Sequence, residues 1–196
     1  MEIIGSTGKL IILSAPSGAG KTTIARHLLR AGMNLEFSIS ACSREKREGE
    51  IHGVDYYFLS VEDFKDQVSH GNFLEWEEVY PGHLYGTLKS EVERIIDSGR
   101  NVLFDVDVIG GLNIKKHYKD QAFAIFIQPP GIDDLEKRLR ARSTDNQEKI
   151  KMRLEKSRQE LEYASYFDLV IINDKLEIAI KEAENAVLEF LNKKKE

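Results

Sequence analysis

This sequence is poor in cysteine and in long apolar runs. Its one cysteine, Cys42, excludes an internal disulfide and a metal site built on several thiolates. The longest early apolar run, residues 10–13, is far too short to cross a membrane, and no basic segment typical of a secretory signal precedes it. We therefore expect a protein of the reducing cytoplasm, in which Cys42 packs as a small apolar residue.

An excess of positive charge is also missing. Lys and Arg number 28 against 33 Asp and Glu, a net charge of -5, which has the wrong sign for binding a nucleic-acid backbone. We expect neither a nucleic acid nor a membrane as partner, whereas small nucleotides remain allowed. With 196 residues, 41% of them hydrophobic and 31% charged, the chain has the composition of one globular domain.

Short apolar strands alternate with helical patterns along much of the chain. The strands are predicted at residues 9–14, 101–105, 122–127 and 169–172, and the main helices at 21–31 and 176–192. This order predicts an α/β fold, with a central parallel sheet covered by helices on both faces.

The intervening residues 37–100 have a different pattern. Short alternating segments separated by glycines predict a small, largely antiparallel or mixed insertion. Within it, Ser60 followed by Glu62 and Asp63 predicts a capped helix that ends near His70. Later, a break at 129–131 precedes an arginine-rich helix, and we expect the polar stretch 143–149 to be mobile.

A glycine-containing loop links the first strand to the first helix. Its residues are Ala15, Pro16, Ser17, Gly18, Ala19, Gly20, Lys21 and Thr22, followed by Thr23. Backbone N–H groups and the positive helix end form an anion site here, Lys21 adds charge for the terminal phosphates, and the Thr22 hydroxyl can bind Mg²⁺. The pattern departs from a P-loop only at its first position, where we expect Ala15 to adopt a negative φ. The loop predicts binding of a nucleoside triphosphate.

Two carboxylates follow the strand at 101–105. Because side chains two residues apart on a strand point the same way, Asp105 and Asp107 are expected to project together at the carboxyl edge of the sheet. Asp105 is then a possible second magnesium ligand. The alternative is that one of them, Asp107 above all, caps the following helix.

Several motifs in and beyond the insertion combine basic, aromatic and acidic residues. They are S-I-S at 38–40, R-E-K-R at 44–47, G-V-D-Y at 53–56, F-L-E-W at 73–76, L-Y-G-T at 84–87, D-V-D at 105–107, R-L-R-A-R at 138–142, Arg153 and N-D at 173–174. In these motifs the sequence resembles the guanylate kinases over nearly the whole chain. It departs from the family pattern at neighbouring positions, namely Cys42-Ser43, Lys46, Leu84 and Ser143, and by one residue added between Trp76 and Tyr85.

The resemblance implies a P-loop NTPase fold and ATP-dependent, Mg²⁺-assisted phosphorylation of GMP and dGMP, a step of purine nucleotide metabolism. It implies that Ser40, Glu75 and Thr87 recognise guanine, that Arg44, Arg47, Tyr56 and Tyr85 hold the acceptor phosphate, and that Glu50, Asp105 and Asp107 complete the GMP site. It implies that Arg138, Arg142 and Arg153 close over the phosphates, with Asn173 beside ATP. The corresponding parts are a core (1–36, 101–134, 159–196), a GMP-binding insertion (37–100) and a lid (135–158).

The chemistry of guanine supports the same acceptor independently. Guanine presents two donor groups beside the O6 acceptor, so a carboxylate with a hydroxyl, Glu75 with Ser40 or Thr87, fits guanine and not adenine. Guanidinium forks such as those of Arg44 and Arg47 bind phosphate oxygens in pairs. The plainer alternatives are a strand-edge carboxylate at Glu75, a solvated charged loop at residues 44–50, and packing roles for the tyrosines.

The acceptor oxygen of a nucleoside monophosphate is already negative, so no general base is needed. We expect catalysis by in-line positioning and charge neutralisation by Lys21, Arg44, the lid arginines and Mg²⁺, with closure that excludes water. A basic, solvent-exposed helix face is the alternative for Arg138 and Arg142. Two other functions compete: a kinase of another phosphorylated acceptor on the same fold, and a catalytically inactive module that binds phosphorylated peptides.

Overall fold

The computed structural model describes residues 8–141 and 147–193, and these fall into two compact units. The first comprises residues 8–9 and 36–102, and the second comprises 10–35, 103–141 and 147–193. Within these described ranges, no helix is long and apolar enough to cross a membrane.

Nine strands form two sheets in the described residues. The strands are β1 (Leu10–Ser14), β2 (Leu35–Phe37), β3 (Ala41–Cys42), β4 (Tyr57–Phe58), β5 (Phe73–Tyr80), β6 (His83–Leu88), β7 (Asn101–Asp105), β8 (Ala122–Gln128) and β9 (Leu169–Ile172). One sheet has the order β2-β7-β1-β8-β9 and the other β4-β3-β6-β5. The division between the two units passes through β2 and β7.

Seven α-helices accompany the sheets in the same part of the chain. They are α1 (Lys21–Arg30), α2 (Val61–Ser69), α3 (Lys89–Asp97), α4 (Val108–Tyr118), α5 (Ile132–Ala141), α6 (Gln147–Glu162) and α7 (Leu176–Asn192). Short 3₁₀ turns follow α4 and α6.

The larger sheet has the continuous apolar character that its sequence predicts. Strand β8 pairs in parallel with β1 and with β9, and every residue of β1 is buried. Buried residues of α1 and α7, such as Ile24, Leu28 and Ala183, join the same core cluster as Ile11 and Leu13. The predicted α/β class with a central parallel sheet is confirmed. Such strands read as continuous apolar runs because both faces of the sheet are covered.

The smaller sheet is mixed. Strand β6 pairs antiparallel with both β3 and β5, whereas β3 and β4 run parallel. The stacked rings of Phe64 and Phe73 form part of its core, with centroids 4.3 Å apart. The predicted cap of α2 is confirmed, since the Ser60 hydroxyl accepts a hydrogen bond from the Asp63 N–H.

The polar stretch before α6 differs in part from its prediction. Residues 143–146 of the predicted mobile stretch lie outside the described residues, but Gln147 to Lys149 form the first turn of α6. Gln, Glu and Lys are good helix formers, and Glu148 is stabilised at the positive helix end. Polarity alone did not distinguish this turn from a loop.

Helix α4 packs closely on the larger sheet at Gly111. A Cβ atom there would lie 2.5 Å from the Ser14 Oγ and 3.1 Å from a methyl carbon of Ile12. The Ser14 hydroxyl is itself held by a 3.0 Å hydrogen bond to the Asp107 carbonyl. The helix can therefore not accept a methyl group without moving away from β1.

We predict that Gly111→Ala lowers the free energy of unfolding by about 1–3 kcal/mol, because overpacking outweighs the better helix propensity of alanine. Urea denaturation provides the measurement. Asn113→Ala is the matched control, since Asn113 is exposed on the same helix and its replacement should leave stability unchanged or slightly raised. Equal stability of Gly111→Ala and wild type would contradict the close contact.

Candidate functional site: a phosphate-binding loop and a carboxylate–hydroxyl pocket

The loop between β1 and α1 has the backbone geometry of an anion site. Gly18 and Gly20 have φ of 97° and 100°, a region that L side chains rarely adopt, and Gly20 is the N-cap of α1. Among described non-glycine residues, only Asn34 and Lys119 have positive φ, so the expected negative φ of Ala15 is confirmed. The alanine methyl group is therefore tolerated at the first loop position.

Lys21 lies beside the carboxyl end of β7. Its Nζ is 2.6 Å from the Asp105 Oδ1 and donates to the Val106 carbonyl at 2.6 Å. The Thr22 hydroxyl lies 3.4 Å from the Asp105 Oδ2. An ammonium group, a hydroxyl and a carboxylate are thus brought together at the start of α1, as the sequence predicts for a site that binds phosphate and Mg²⁺.

Asp107 caps the helix that follows β7. Strand β7 ends at Asp105, and the Asp107 carboxylate accepts from the Gly110 N–H at 2.9 Å as the N-cap of α4. The capping alternative is therefore confirmed for Asp107. Its place beside Asp105 in a GMP site stays a prediction.

Asn173 connects the loop to β9 and α5. Its side-chain amide donates to the Ala19 carbonyl at 2.7 Å, and its backbone carbonyl accepts from the Arg138 guanidinium at 2.7 Å. Because Asn173 is buried, this contact is shielded from water, and a Cβ on Gly20 would collide with the amide nitrogen. Arg138, a predicted lid residue, is thereby placed near the loop.

The other predicted lid arginines are described in part. Arg153 is half-buried on α6, on the helix that packs against α5 through Leu154 and Ile150. Arg142 lies outside the described residues.

In the other unit, Glu75 and Thr87 face each other across β5 and β6. They are register partners, and the Thr87 hydroxyl donates to the Glu75 Oε1 at 2.6 Å. Only 8% of Glu75 and 1% of Thr87 is exposed. A buried carboxylate needs hydrogen-bond donors, and the Thr87 hydroxyl supplies one to Glu75.

Arg44 and Glu50 form a two-pronged ion pair. The guanidinium donates to both carboxylate oxygens, at 2.7 and 2.6 Å, and the Arg47 backbone N–H donates to the same carboxylate at 2.8 Å. The hydrogen bonds from Arg44, and then that from Arg47, lower the pKa of Glu50 to about 2. Glu50 therefore holds Arg44 in place, a role that the solvated-loop alternative does not include.

Aromatic rings surround the Arg44 guanidinium. Its central carbon lies 4.9 Å from the Tyr56 ring centroid and 5.4 Å from that of Phe58. The rings of Tyr56 and Tyr85 meet edge to face at 6.1 Å. Burial raises the pKa of Tyr85, so its hydroxyl remains a hydrogen-bond donor at neutral pH. The structure thus brings Arg44, Tyr56 and Tyr85 together, as predicted.

Cys42, next to this cluster on β3, is fully buried, whereas the sequence predicted a small, partly buried residue. Burial raises the pKa of its thiol, which disfavours the reactive thiolate. A nucleophilic role for Cys42 therefore has no support.

Sequence reasoning missed three residues. Phe58 directly follows Tyr56 and Tyr57 in sequence, and its contact with Arg44 forms only in the folded chain. Glu91 is a buried carboxylate on α3, at a position where the helical pattern of Val92 and Ile95 favoured an apolar residue. Glu160, on the far end of α6, gave no local signal at all.

Glu160 has a raised carboxyl pKa. Burial, with a smaller contribution from the charge of Asp107, raises the pKa to about 7, although the charges of Lys156 and Lys21 act in the opposite direction. The Lys156 Nζ is 3.9 Å from its carboxylate. The folded protein therefore binds a proton that the unfolded chain, with an ordinary pKa near 4.5, releases at lower pH.

Because this folded-state pKa is raised, the stability that Glu160 confers is complete below about pH 4.5 and is lost as the pH rises to about 7. We predict that the free energy of unfolding of wild type falls by up to about 3 kcal/mol relative to that of Glu160→Gln as the pH rises through this window. Urea denaturation at several pH values measures it. Glu162→Gln, an exposed change on the same helix, should follow wild type, and parallel profiles for Glu160→Gln would contradict the assignment.

Comparison with known proteins gives one consistent family. The family model described as guanylate kinase matches residues 7–190. The guanylate kinase of Bacteroides thetaiotaomicron is 52% identical over 187 residues, which is 95% of this chain and 92% of that protein. The guanylate kinase of Porphyromonas gingivalis is 50% identical over 186 residues, 94% of this chain and 99% of that protein.

A solved structure agrees with these relatives. The crystal structure of guanylate kinase from Anaplasma phagocytophilum matches with a TM-score of 0.76 and 29% identity, covering 96% of this chain and 88% of that one. A loop built for phosphate and a buried carboxylate–hydroxyl pair are accordingly found on a fold shared with guanylate kinases. This chain belongs to the guanylate kinase family.

Proposed function

We propose that this protein transfers the γ-phosphoryl group of ATP to GMP and dGMP, giving ADP with GDP or dGDP, in the purine nucleotide metabolism of the cytoplasm. The observation that carries the proposal is the buried Glu75–Thr87 pair, because a carboxylate oriented by a hydroxyl can accept from the two donor groups that distinguish guanine from adenine. Family membership supports the same reaction. Two small nucleotides, and neither a nucleic acid nor a membrane, are the proposed partners.

The donor site is the loop from Ala15 to Thr23. Its backbone N–H groups and the N-terminus of α1 would hold the ATP phosphates, with Lys21 at the terminal ones and Asn173 supporting the loop. The residues also fit Mg²⁺, since the Thr22 hydroxyl and the Asp105 carboxylate are oxygen ligands 3.4 Å apart. When bound, Mg²⁺ would neutralise charge on the phosphate oxygens.

The direction of one hydrogen bond assigns roles at the guanine. A carboxylate accepts only, so the Thr87 hydroxyl uses its single proton on Glu75 and acts by orienting that carboxylate. The Glu75 carboxylate would accept from the two donor groups of guanine. Of the two hydroxyls that could donate to guanine O6, Ser40 is then the one with its proton available.

The acceptor phosphate would bind in the cluster around Arg44. The Glu50 carboxylate fixes the Arg44 guanidinium beside the rings of Tyr56 and Phe58, and we assign Glu50 to that positioning. Arg47, Tyr56 and Tyr85 supply further donors to the phosphate oxygens. A guanidinium held in advance binds a dianion at less cost in conformational entropy.

The transfer itself needs positioning and charge neutralisation. An acceptor phosphate oxygen attacks the γ-phosphorus, the bond to the β,γ-bridging oxygen breaks, and no proton has to be removed. Lys21 with the arginines of the lid, residues 135–158, would neutralise the charge that spreads over the equatorial oxygens. We assign Arg138, Arg142 and Arg153 to this role, with the insertion 37–100 carrying the acceptor.

An acceptor panel tests the proposed function. With ATP and Mg²⁺, wild type should phosphorylate GMP and dGMP, while AMP, UMP, dTMP and ribose bisphosphate should be poorer by roughly 10⁴–10⁵ in kcat/KM, because they leave Glu75 unpaired. A coupled assay of ADP release provides the measurement. Preference for any other acceptor would reject guanine, and phosphopeptide binding without ATP turnover would indicate the inactive module.

The panel should be repeated with Glu75→Gln. The amide can accept at one atom only, so kcat/KM for GMP should fall roughly 10- to 100-fold, the usual worth of a charged hydrogen bond. The KM for ATP should not change. A Glu75→Gln enzyme that keeps its preference for GMP would show that another group recognises the base.

We predict that Lys21→Ala and Arg142→Ala each reduce kcat by at least roughly 100-fold, because each removes a positive charge from the transferring group. Circular dichroism should show an intact fold in both variants. Lys181→Ala, which removes an exposed lysine on α7, should keep wild-type kcat. Wild-type kcat in either of the first two variants would be incompatible with the mechanism.

A further inference from the structure

Helix α3 carries a buried carboxylate in its first turn. Glu91 is only 3% exposed and lies beside the buried Val92 and Ile95. Burying a carboxylate is costly unless its oxygens accept hydrogen bonds. The contacts that Glu91 makes are therefore the reason that it can occupy this position.

Those contacts reach two segments far from α3 in sequence. The Glu91 Oε1 accepts from the Ile39 backbone N–H at 3.2 Å, and the Oε2 accepts from the Tyr57 hydroxyl at 2.9 Å. Arg94, one turn further along α3, donates to both oxygens at 3.0 Å. Burial alone would raise the pKa of Glu91, but the hydrogen bonds from Arg94, Ile39 and Tyr57 outweigh it and lower the pKa.

Arg94 is itself held on its other side. Its guanidinium lies 2.7 Å from the Glu36 Oε1, and Arg100 donates to the second oxygen of Glu36 at 2.9 Å. The Glu91 carboxylate is thus anchored to α3 and, through Glu36, to β2. It is a fixed point against which other segments can be positioned.

The hydrogen bonds of Glu91 close a ring around Ser40. Ile39 is covalently joined to Ser40, and the Ser40 carbonyl accepts from the Tyr57 N–H at 2.9 Å. Tyr57 returns to Glu91 through its hydroxyl. The residue before Ser40 is held through its N–H, which donates to Glu91. The Ser40 carbonyl is held by Tyr57, whose hydroxyl donates to the same Glu91 carboxylate.

We propose that Glu91, through this ring, is a positioning residue that places the Ser40 hydroxyl for donation to guanine O6. The inference rests on the proposed function, in which Ser40 is the hydroxyl with a proton to give. Glu91 touches neither substrate and acts through the backbone on either side of Ser40. Displacement of Ser40 should weaken the contact to O6 and leave the ATP site unaffected.

Two single changes open the ring at different bonds. Tyr57→Phe removes one hydroxyl and keeps the ring of the tyrosine, and Glu91→Gln removes one acceptor oxygen while keeping the size of the side chain. Steady-state kinetics would be measured with GMP and with 6-thio-GMP, which differs only in having sulfur, a weak acceptor, in place of O6. The double variant completes a cycle.

Each single variant should raise the KM for GMP about 3- to 10-fold, the worth of one neutral hydrogen bond, with kcat and the KM for ATP unchanged. The KM for 6-thio-GMP should change little, so the preference of the enzyme for GMP over 6-thio-GMP should decrease. Because both changes open one ring, the double variant should be no worse than the poorer single variant. Glu93→Gln, an exposed change on the same helix, should match wild type.

Equal losses with GMP and 6-thio-GMP, or a parallel change in the KM for ATP, would overturn the positioning role and indicate that Glu91 only stabilises α3. Wild-type kinetics in Tyr57→Phe and Glu91→Gln would overturn it as well. Failure of the wild-type enzyme itself to phosphorylate GMP would reject the proposed function, and with it the role of Glu91. Turnover by wild type therefore separates the two failures.

Discussion

The ammonium group of Lys21 is the contact on which the arrangement of the phosphate-binding loop depends. It joins the first residue of α1 to the Asp105 carboxylate and the Val106 carbonyl at the end of β7. The Val106 N–H also donates to the Leu13 carbonyl on β1, so the ends of two strands and the start of one helix are tied at one point. A single positive charge thereby joins the carboxyl ends of β1 and β7 to the start of α1.

In the other unit the organising groups are carboxylates, of which Glu75 and Glu91 are buried. Glu75 accepts from a residue on the neighbouring strand, Glu91 from segments distant in sequence and Glu50 from Arg44, six residues before it. Carboxylates suit this task because they only accept, so the direction of every hydrogen bond around them is fixed.

The sequence was sufficient for four strands of the larger sheet and for the loop between β1 and α1, and insufficient for the short strand β2 and for contacts between side chains. Strands β7 and β9 and helix α7 lie at the predicted residues, because continuous apolar runs and 3.6-residue periodicity are local properties. The capping role of Asp107 was left as one of two alternatives, because nothing local marks where β7 ends. Glu91 and Glu160 were missed, since the desolvation of a carboxylate depends on segments that meet only in the folded chain. Residue roles taken from the family resemblance remain predictions.

The buried side-chain amide of Asn173 supports the loop through the polarity of its hydrogen bond and not through its size alone. Its nitrogen faces the Ala19 carbonyl at 2.7 Å, where an oxygen atom of nearly the same size would meet that carbonyl with like partial charge. Hydrolysis of this one amide to a carboxylate would alter the side chain by a single heavy atom and turn an attraction into a repulsion behind the phosphate loop. The contact behind the loop thus depends on the chemical state of one amide group.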